Sequence, residues 1–278
     1  MHRSAWKWGA AAAAAVLLFG SLKLWAAAAE PGAHWTPDYE KQDLTNILAK
    51  KELSEADYKT LLLQTGLGAF AVDTLRAGGM TEEILALQET FFAVSPIICT
   101  PNSLVSAEEH TVQGTRLAAL EDGDILVTPC SHAYGWRNGH AALVVDAAQG
   151  VTLESVVLGQ ASCLQSVHKW ETYPAVLVFR LRGAGEKERG QIAETAVERL
   201  CGVPYGLTVG VFSPKHPEDV PTTTHCAHLV WEAYRAFGYD LDSTGGRIVT
   251  PHDLAYSPLL ELKQVHGVDP RTLVQAGF

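Results

Sequence analysis

The chain has 278 residues, 47% of them hydrophobic and 19% charged, with a formal net charge of −10. That balance is ordinary for a globular protein, and the acidic excess argues against a nucleic-acid binder, which would carry a basic stripe. The five cysteines (Cys99, Cys130, Cys163, Cys201, Cys226) contain no C-x-x-C pair, which excludes a zinc spacing and, at this length, a dense disulfide scaffold.

His2, Arg3 and Lys7 precede an apolar run from Gly9 to Leu22, which Lys23 interrupts. About fourteen apolar residues suit the ~7–15-residue core of a secretory leader. As a helix they span only ~21 Å, against a ~30 Å hydrocarbon layer. Residues 26–30, AAAAE, offer an A-x-A cleavage site ending near Ala29. Residues 1–29 are therefore expected to be a signal peptide, or an uncleaved anchor that tolerates Lys23. Both alternatives place the rest of the chain outside the cytoplasm, secreted or membrane-tethered. An exported chain with an odd number of cysteines keeps at least one thiol free.

Residues 36–92 read as short helices, part of a helical N-terminal region over 30–117. Thr36-Pro37 is a cap followed by a first-turn proline, with Leu44, Ile47 and Leu48 on one face. SEAD at 54–57 is a capping-box variant, and Gly66 is a stop. A further helix begins at Thr81. From Gly123 the pattern changes to short β-branched runs at 124–128, 140–146, 151–157 and 175–181, which predict an antiparallel sheet. Residues 186–202 form an amphipathic helix stopped by Gly202, a second helix starts at Cys226, and strands are predicted near Ile248 and over 259–265.

Cys226 follows Thr224, a natural N-cap residue, and so falls in the first helical turn. Unpaired amides and the helix dipole there favour an anion, biasing the thiol toward thiolate. Leu229, Val230, Ala233 and Phe237 lie three, four, seven and eleven residues on, a spacing that a core cysteine fits equally well. A thiolate nucleophile needs a base, and the base needs an orienting partner. His140 opens the strand HAALVVD, with His140, Ala142 and Val144 on one face. If residues 145–149 form the loop, 144 pairs with 150 and His140 falls opposite Glu154, within ~5 Å. The stretch TPCSHAYGWRNGH (128–140) is a long polar and aromatic loop. In it His132, Tyr134, Trp136 and Arg137 form either one wall of a substrate groove, with Arg137 reading a carboxylate, or a packed Ω-type loop. His225 and His228 compete with His140 for the role of base. Cys130 and Cys163 are either bridged or buried, and Asp124 reads best as a strand-entry turn residue.

EDGDILV, GHAALVV, TLES, GVPYGL and THCAHLVWEAY together resemble the NlpC-type cell-wall cysteine hydrolases with the block order changed. The histidine block precedes the cysteine block, as in the permuted papain-like YiiX/YycO-type branch, which is similar in arrangement to lecithin:retinol acyltransferase. The resemblance covers roughly residues 118–265 and implies, for a domain over 118–278, an α+β, circularly permuted papain-like fold, with an antiparallel sheet packed against helices. It implies Cys226 as nucleophile, His140 as base, Glu154 as the third polar residue, and Tyr205 close to the nucleophile as an oxyanion donor. It also implies hydrolysis of amide bonds, with peptidoglycan stem peptides as substrate and no metal or organic cofactor. Two alternatives stay open: a lipid or non-peptide amide or ester hydrolase or acyltransferase with the same triad, and a non-catalytic wall-binding module. Ala227 and His228 depart from the family's C-S-x-L-V pattern.

Overall fold

Short β-branched segments separated by glycine turns build the central sheet. In the computed structural model, which describes residues 8, 12–22, 34–217 and 219–275, ten strands are numbered in chain order among the described residues. They are β1 Ile97–Pro101, β2 Ser106–Thr111, β3 Ile125–Thr128, β4 Ser131–Ala133, β5 Trp136–Arg137, β6 His140–Asp146, β7 Val151–Glu154, β8 Cys163–Ser166, β9 Val176–Leu181 and β10 Leu260–His266. The main sheet has six antiparallel strands in the order β10-β9-β3-β6-β7-β8. The fold is thus α+β, with antiparallel sheets packed against helices.

The period-2 pattern of β6 sorts its side chains as the sequence predicts. Ala141 and Leu143 join a core beneath the helices, with Ile125, Phe179 and Leu229. Ala142 and Val144 join the opposite core, with Leu126, Val178, Trp170 and Tyr173. The covering helices include α5 (Glu186–Leu200), α6 (Cys226–Arg235) and α7 (Pro251–Ala255). Residues 246–250, expected to include a strand near Ile248, form irregular loop instead.

Asp124 is fully buried at the entry to β3. It accepts from Arg180 Nε and Nη2 at 2.7 and 2.9 Å and from Lys263 Nζ at 2.7 Å. One carboxylate thereby ties β3 to β9 and β10, the structural role that its turn position suggested.

The N-terminal helices are α1 Thr45–Leu48, α2 Glu55–Thr65, α3 Ala69–Ala77 and α4 Thr81–Phe92. They enclose a separate apolar cluster that includes Leu44, Leu61, Leu75 and Ile84. Ser54 and Asp57 complete the capping box of α2, and Gly66 ends it at φ +73. The expected helix start at Thr36-Pro37 does not form. Residues 40–42 are instead tied in non-helical form to side chains of neighbouring helices. Gln42 N donates to Gln64 Oε1, Gln64 Nε2 to the Glu40 carbonyl, and Gln88 Nε2 to the Gln42 carbonyl.

The expected helical region over 30–117 also contains a β-hairpin, because β1 and β2 pair antiparallel. With β4 and β5 they make a second sheet in the order β1-β2-β4-β5. The stretch 128–140 is therefore a hairpin rather than an Ω-type loop. Its two-residue turn, Tyr134–Gly135, has φ +53 and +76, the left-handed pair that matches strand twist in a type I′ turn. Residues 12–22 are helical, with exposed side chains. Among the described residues no helix is long and apolar enough to cross a membrane. The expected cleavage near Ala29 lies outside the described residues.

Candidate active site

The segment before α6 runs extended beside GVPY. Tyr205 and Thr224 form a parallel bridge, with Gly206 N donating to the Thr224 carbonyl at 2.8 Å and Thr224 N to the Pro204 carbonyl at 2.9 Å. This pairing keeps Thr224 out of the helix, so His225, not Thr224, is the N-cap. The His225 ring accepts the His228 N–H at 3.4 Å. Cys226 is the first helical residue and is 6% exposed. Its own N–H belongs to the turn whose amides have no partner within the helix.

His140 opens β6, and its buried ring stacks on Trp170 at 5.4 Å. Its Nε2–H donates to Glu154 Oε2 at 2.6 Å, which leaves Nδ1 for the hydrogen bond with Cys226. The pairing of β6 with β7 differs from the expected register. Val144 lies opposite Thr152 rather than residue 150, and a bulge falls between Val144 and Asp146. Extended back along the strands, this register sets Glu154 opposite Ala142, so it reaches His140 along the diagonal of the same face. The two-residue error in register preserves the face, which is why the pairing itself survives.

Glu154 is fully buried, and each of its oxygens accepts two hydrogen bonds. Oε1 accepts from Thr152 Oγ1 at 2.6 Å and Trp170 Nε1 at 2.9 Å. Oε2 accepts from His140 and from Lys169 Nζ, each at 2.6 Å. Burial alone pushes the Glu154 pKa up, but the His140 and Lys169 bonds and charges bring it down to about 2. Burial likewise opposes charge on His140, yet Cys226 and Glu154 raise it to about 9. At Cys226 burial pushes the thiol up, and bonds and charges from His140 and His225 outweigh it, lowering the thiol to about 5. Between those values Cys226 is thiolate and His140 is imidazolium.

The pair lines a cleft. The small sheet supplies one wall through Val105, Ser106, His132 and Tyr134, and Val156, Val157, Leu158 and Leu207 form the other. Tyr205 also lines the cleft. Burial, the adjacent thiolate and Tyr134 push its pKa up, so the hydroxyl keeps its proton as a donor. Of the wall residues expected from the sequence, His132 and Tyr134 face the cleft; Trp136 and Arg137 do not. Trp136 packs on Phe19 with ring centroids 5.2 Å apart, and Arg137 Nη2 lies 3.0 and 3.2 Å from the two Glu109 carboxylate oxygens. Arg137 is thus committed to a protein carboxylate.

His228 is not a base. Its Nε2 donates to the Lys215 carbonyl at 2.7 Å and its Nδ1 pairs with Thr224 Oγ1 at 2.9 Å, while burial lowers its pKa to about 4. Cys130 and Cys163 are not bridged to each other; Cys130 is buried and Cys163 half-buried. Among the described residues no group of three or more His, Cys, Asp or Glu side chains is placed to hold a metal ion. Sequence reading missed Thr152, Lys169 and Trp170 around Glu154. The last two sit on a 3-10 helix, Val167–Thr172, whose short run of mixed residues carries no periodic signal.

No protein-family model matches the chain, and no curated protein matches it. Among solved structures, the metalloprotein yiiX of Escherichia coli O157:H7 is similar over 51% of this chain and 95% of that one. The TM-score is 0.40 and the identity 16%. A likeness of that size assigns neither a family nor an activity, and the site stands on its own geometry.

Proposed function

We propose that the chain is an exported cysteine hydrolase of permuted papain-like arrangement, cleaving amide bonds in peptidoglycan stem peptides by thiol acyl transfer. The observation that carries this reading is the Cys226–His140–Glu154 relay at the cleft. A nucleophile at a helix start, a base bonded to it, and a saturated buried carboxylate behind the base form the arrangement such chemistry requires.

The Cys226 thiolate attacks the scissile carbonyl carbon. The oxyanion that forms is met by the Cys226 N–H at the start of α6 and by the Tyr205 hydroxyl, donors fixed before the reaction begins. His140 passes its Nδ1 proton to the leaving nitrogen, the C–N bond breaks, and a thioester remains. Neutral His140 then takes a proton from water, whose oxygen attacks the thioester. The C–S bond breaks, the acid departs, and the thiolate–imidazolium pair is restored. Glu154 keeps Nε2 protonated throughout, so Nδ1 is the nitrogen that works.

Muropeptide profiling tests this directly. Purified protein should release new stem-peptide fragments from peptidoglycan, and the Cys226→Ala variant should release none. Identical profiles from both proteins would refute the substrate assignment. A second reading, an acyl ester or amide lipid as substrate, is favoured by the apolar wall, where Leu158 and Leu207 are 52% and 43% exposed. Turnover of such lipids without release of muropeptides would select it.

A further inference from the structure

A carboxylate that orients a catalytic imidazole also holds its proton, and in this mechanism His140 must give that proton up once per turnover. Glu154 is fully buried and lies 2.6 Å from the ring. With no other charge nearby it would stabilise imidazolium strongly and make it a reluctant acid. Lys169 contacts the same oxygen. Its Nζ is also 2.6 Å from Oε2, and its side chain is 23% exposed. The ammonium and the imidazole are therefore no more than about 5 Å apart. Four groups alternate in charge from the cleft outward: Cys226 thiolate, His140 imidazolium, Glu154 carboxylate and Lys169 ammonium.

We infer that Lys169 is a positioning residue that sets how tightly His140 holds its proton, by sharing Glu154 Oε2 with the imidazole. This rests on the hydrolase reading of the same site. Two cations on one carboxylate oxygen divide its field, and a like charge within ~4–6 Å disfavours a second cation. Lys169 thus weakens the pull of Glu154 on the proton while keeping the carboxylate ionised and in place. A triad without it would keep its geometry and lose acidity at the step that expels the leaving group.

The other ionisable groups facing the cluster do not substitute for Lys169. Cys226 and His225 stand at the start of α6, and Tyr205 lines the cleft on the thiol side. On the Glu154 side, burial raises Tyr173, whose hydroxyl donates to Glu108 of β2 at 2.9 Å. Cys130, pushed up to about 11 by burial, stays a thiol.

The test is a pH titration of the His140 ring by NMR, with no substrate present, in wild type, Lys169→Gln and Lys169→Arg. Resonances are assigned by their loss in His140→Gln. Lys169→Gln should raise the His140 midpoint by about one unit, the size expected for removing a like charge at this range. Lys169→Arg should leave it unmoved. In a muropeptide assay the alkaline limb of kcat should shift by the same amount in Lys169→Gln. A merely structural loss would lower the height of the profile without moving its limbs. If Lys169→Gln does not fold, Lys169→Met keeps the apolar stem and removes only the charge. An unchanged midpoint in either folded, charge-free variant overturns the inference. If wild-type His140 itself titrates near the ordinary ~6.5, the hydrolase reading fails with it, so the two failures are told apart.

Discussion

Replacing His140 by Ala removes the bond that most lowers the Cys226 thiol, and the consequence can be worked through numerically. In wild type the thiol titrates at about 5, so at pH 5.5 about three quarters is thiolate. Without the imidazolium, burial opposes what His225 still contributes, and a thiol back at the ordinary ~8.5 is about 0.1% thiolate at that pH. The thiolate fraction thus falls roughly 750-fold. A thiolate of higher pKa is the better nucleophile, however, and with a Brønsted slope near 0.45 it gains about 40-fold. The net expectation for reaction with a disulfide probe is a fall of about 20-fold at pH 5.5. The two profiles should cross near pH 7, and the variant should be the faster by about 20-fold at pH 8.5. Rates read by mass spectrometry on the Cys226 peptide from pH 5 to 9 give both arms of this comparison. Coincident profiles that rise only above pH 8, in protein that circular dichroism shows to be folded, would refute the ion pair and leave Cys226 as a core residue.

Stability should depend on pH through the same groups. The lowered Glu154 pKa contributes stability above its ordinary 4.5 that is lost as pH falls toward 2, and lowered Cys226 contributes stability lost as pH falls from 9 to 5. Raised His140 contributes fully below 6.5 and loses its share as pH rises to 9. Unfolding free energies from denaturant titration should therefore climb by up to ~1.4 kcal/mol per pH unit between pH 5 and 6.5 and level off above that, and Cys226→Ala should flatten the climb. Arg180→Met takes two hydrogen bonds from buried Asp124 and leaves Lys263 as its counter-charge, and should cost about 1–3 kcal/mol in urea melts. Gly139 sits at φ +71, where an added Cβ would lie 2.8 Å from the Thr128 carbonyl. Gly139→Ala should cost about 1–3 kcal/mol and lower kcat by displacing His140. Glu154→Gln leaves half-buried Lys169 against an amide, and the His140 titration midpoint should fall in NMR spectra relative to wild type.

The parts of the site legible in the sequence were those written in local pattern. HAALVVD alternates cleanly, and β6 spans those seven residues. Glu154 was reachable because strand parity survives an error of two in register, although nothing in GVT or AAQG announces the bulge after Val144. The cap of α6 was misjudged because Thr is a far commoner N-cap than His. Thr224 is held in the extended bridge to Tyr205, a contact between segments twenty residues apart that no local rule encodes. The small sheet was invisible for a related reason. IICTP is exposed along its whole length and SAEEHT is mostly polar, so neither shows the half-buried alternation by which strands are recognised. Lys169 and Trp170 reach Glu154 across fifteen and sixteen residues of chain, and their meeting is a property of the tertiary fold.

Under the proposed hydrolase function, the division between the two sheets separates reaction from admission. Cys226, His140 and Glu154 belong to the six-stranded sheet and the helix upon it, whereas Val105, Ser106, His132 and Tyr134 stand on the small one. Only Asn138 and Gly139 connect β5 to His140. The hairpin from 131 to 137 can therefore be exchanged as a cassette. Variants of its turn and inward-facing side chains would retune which molecules enter while leaving proton transfer untouched, so a library built on those seven positions explores selectivity without re-solving catalysis.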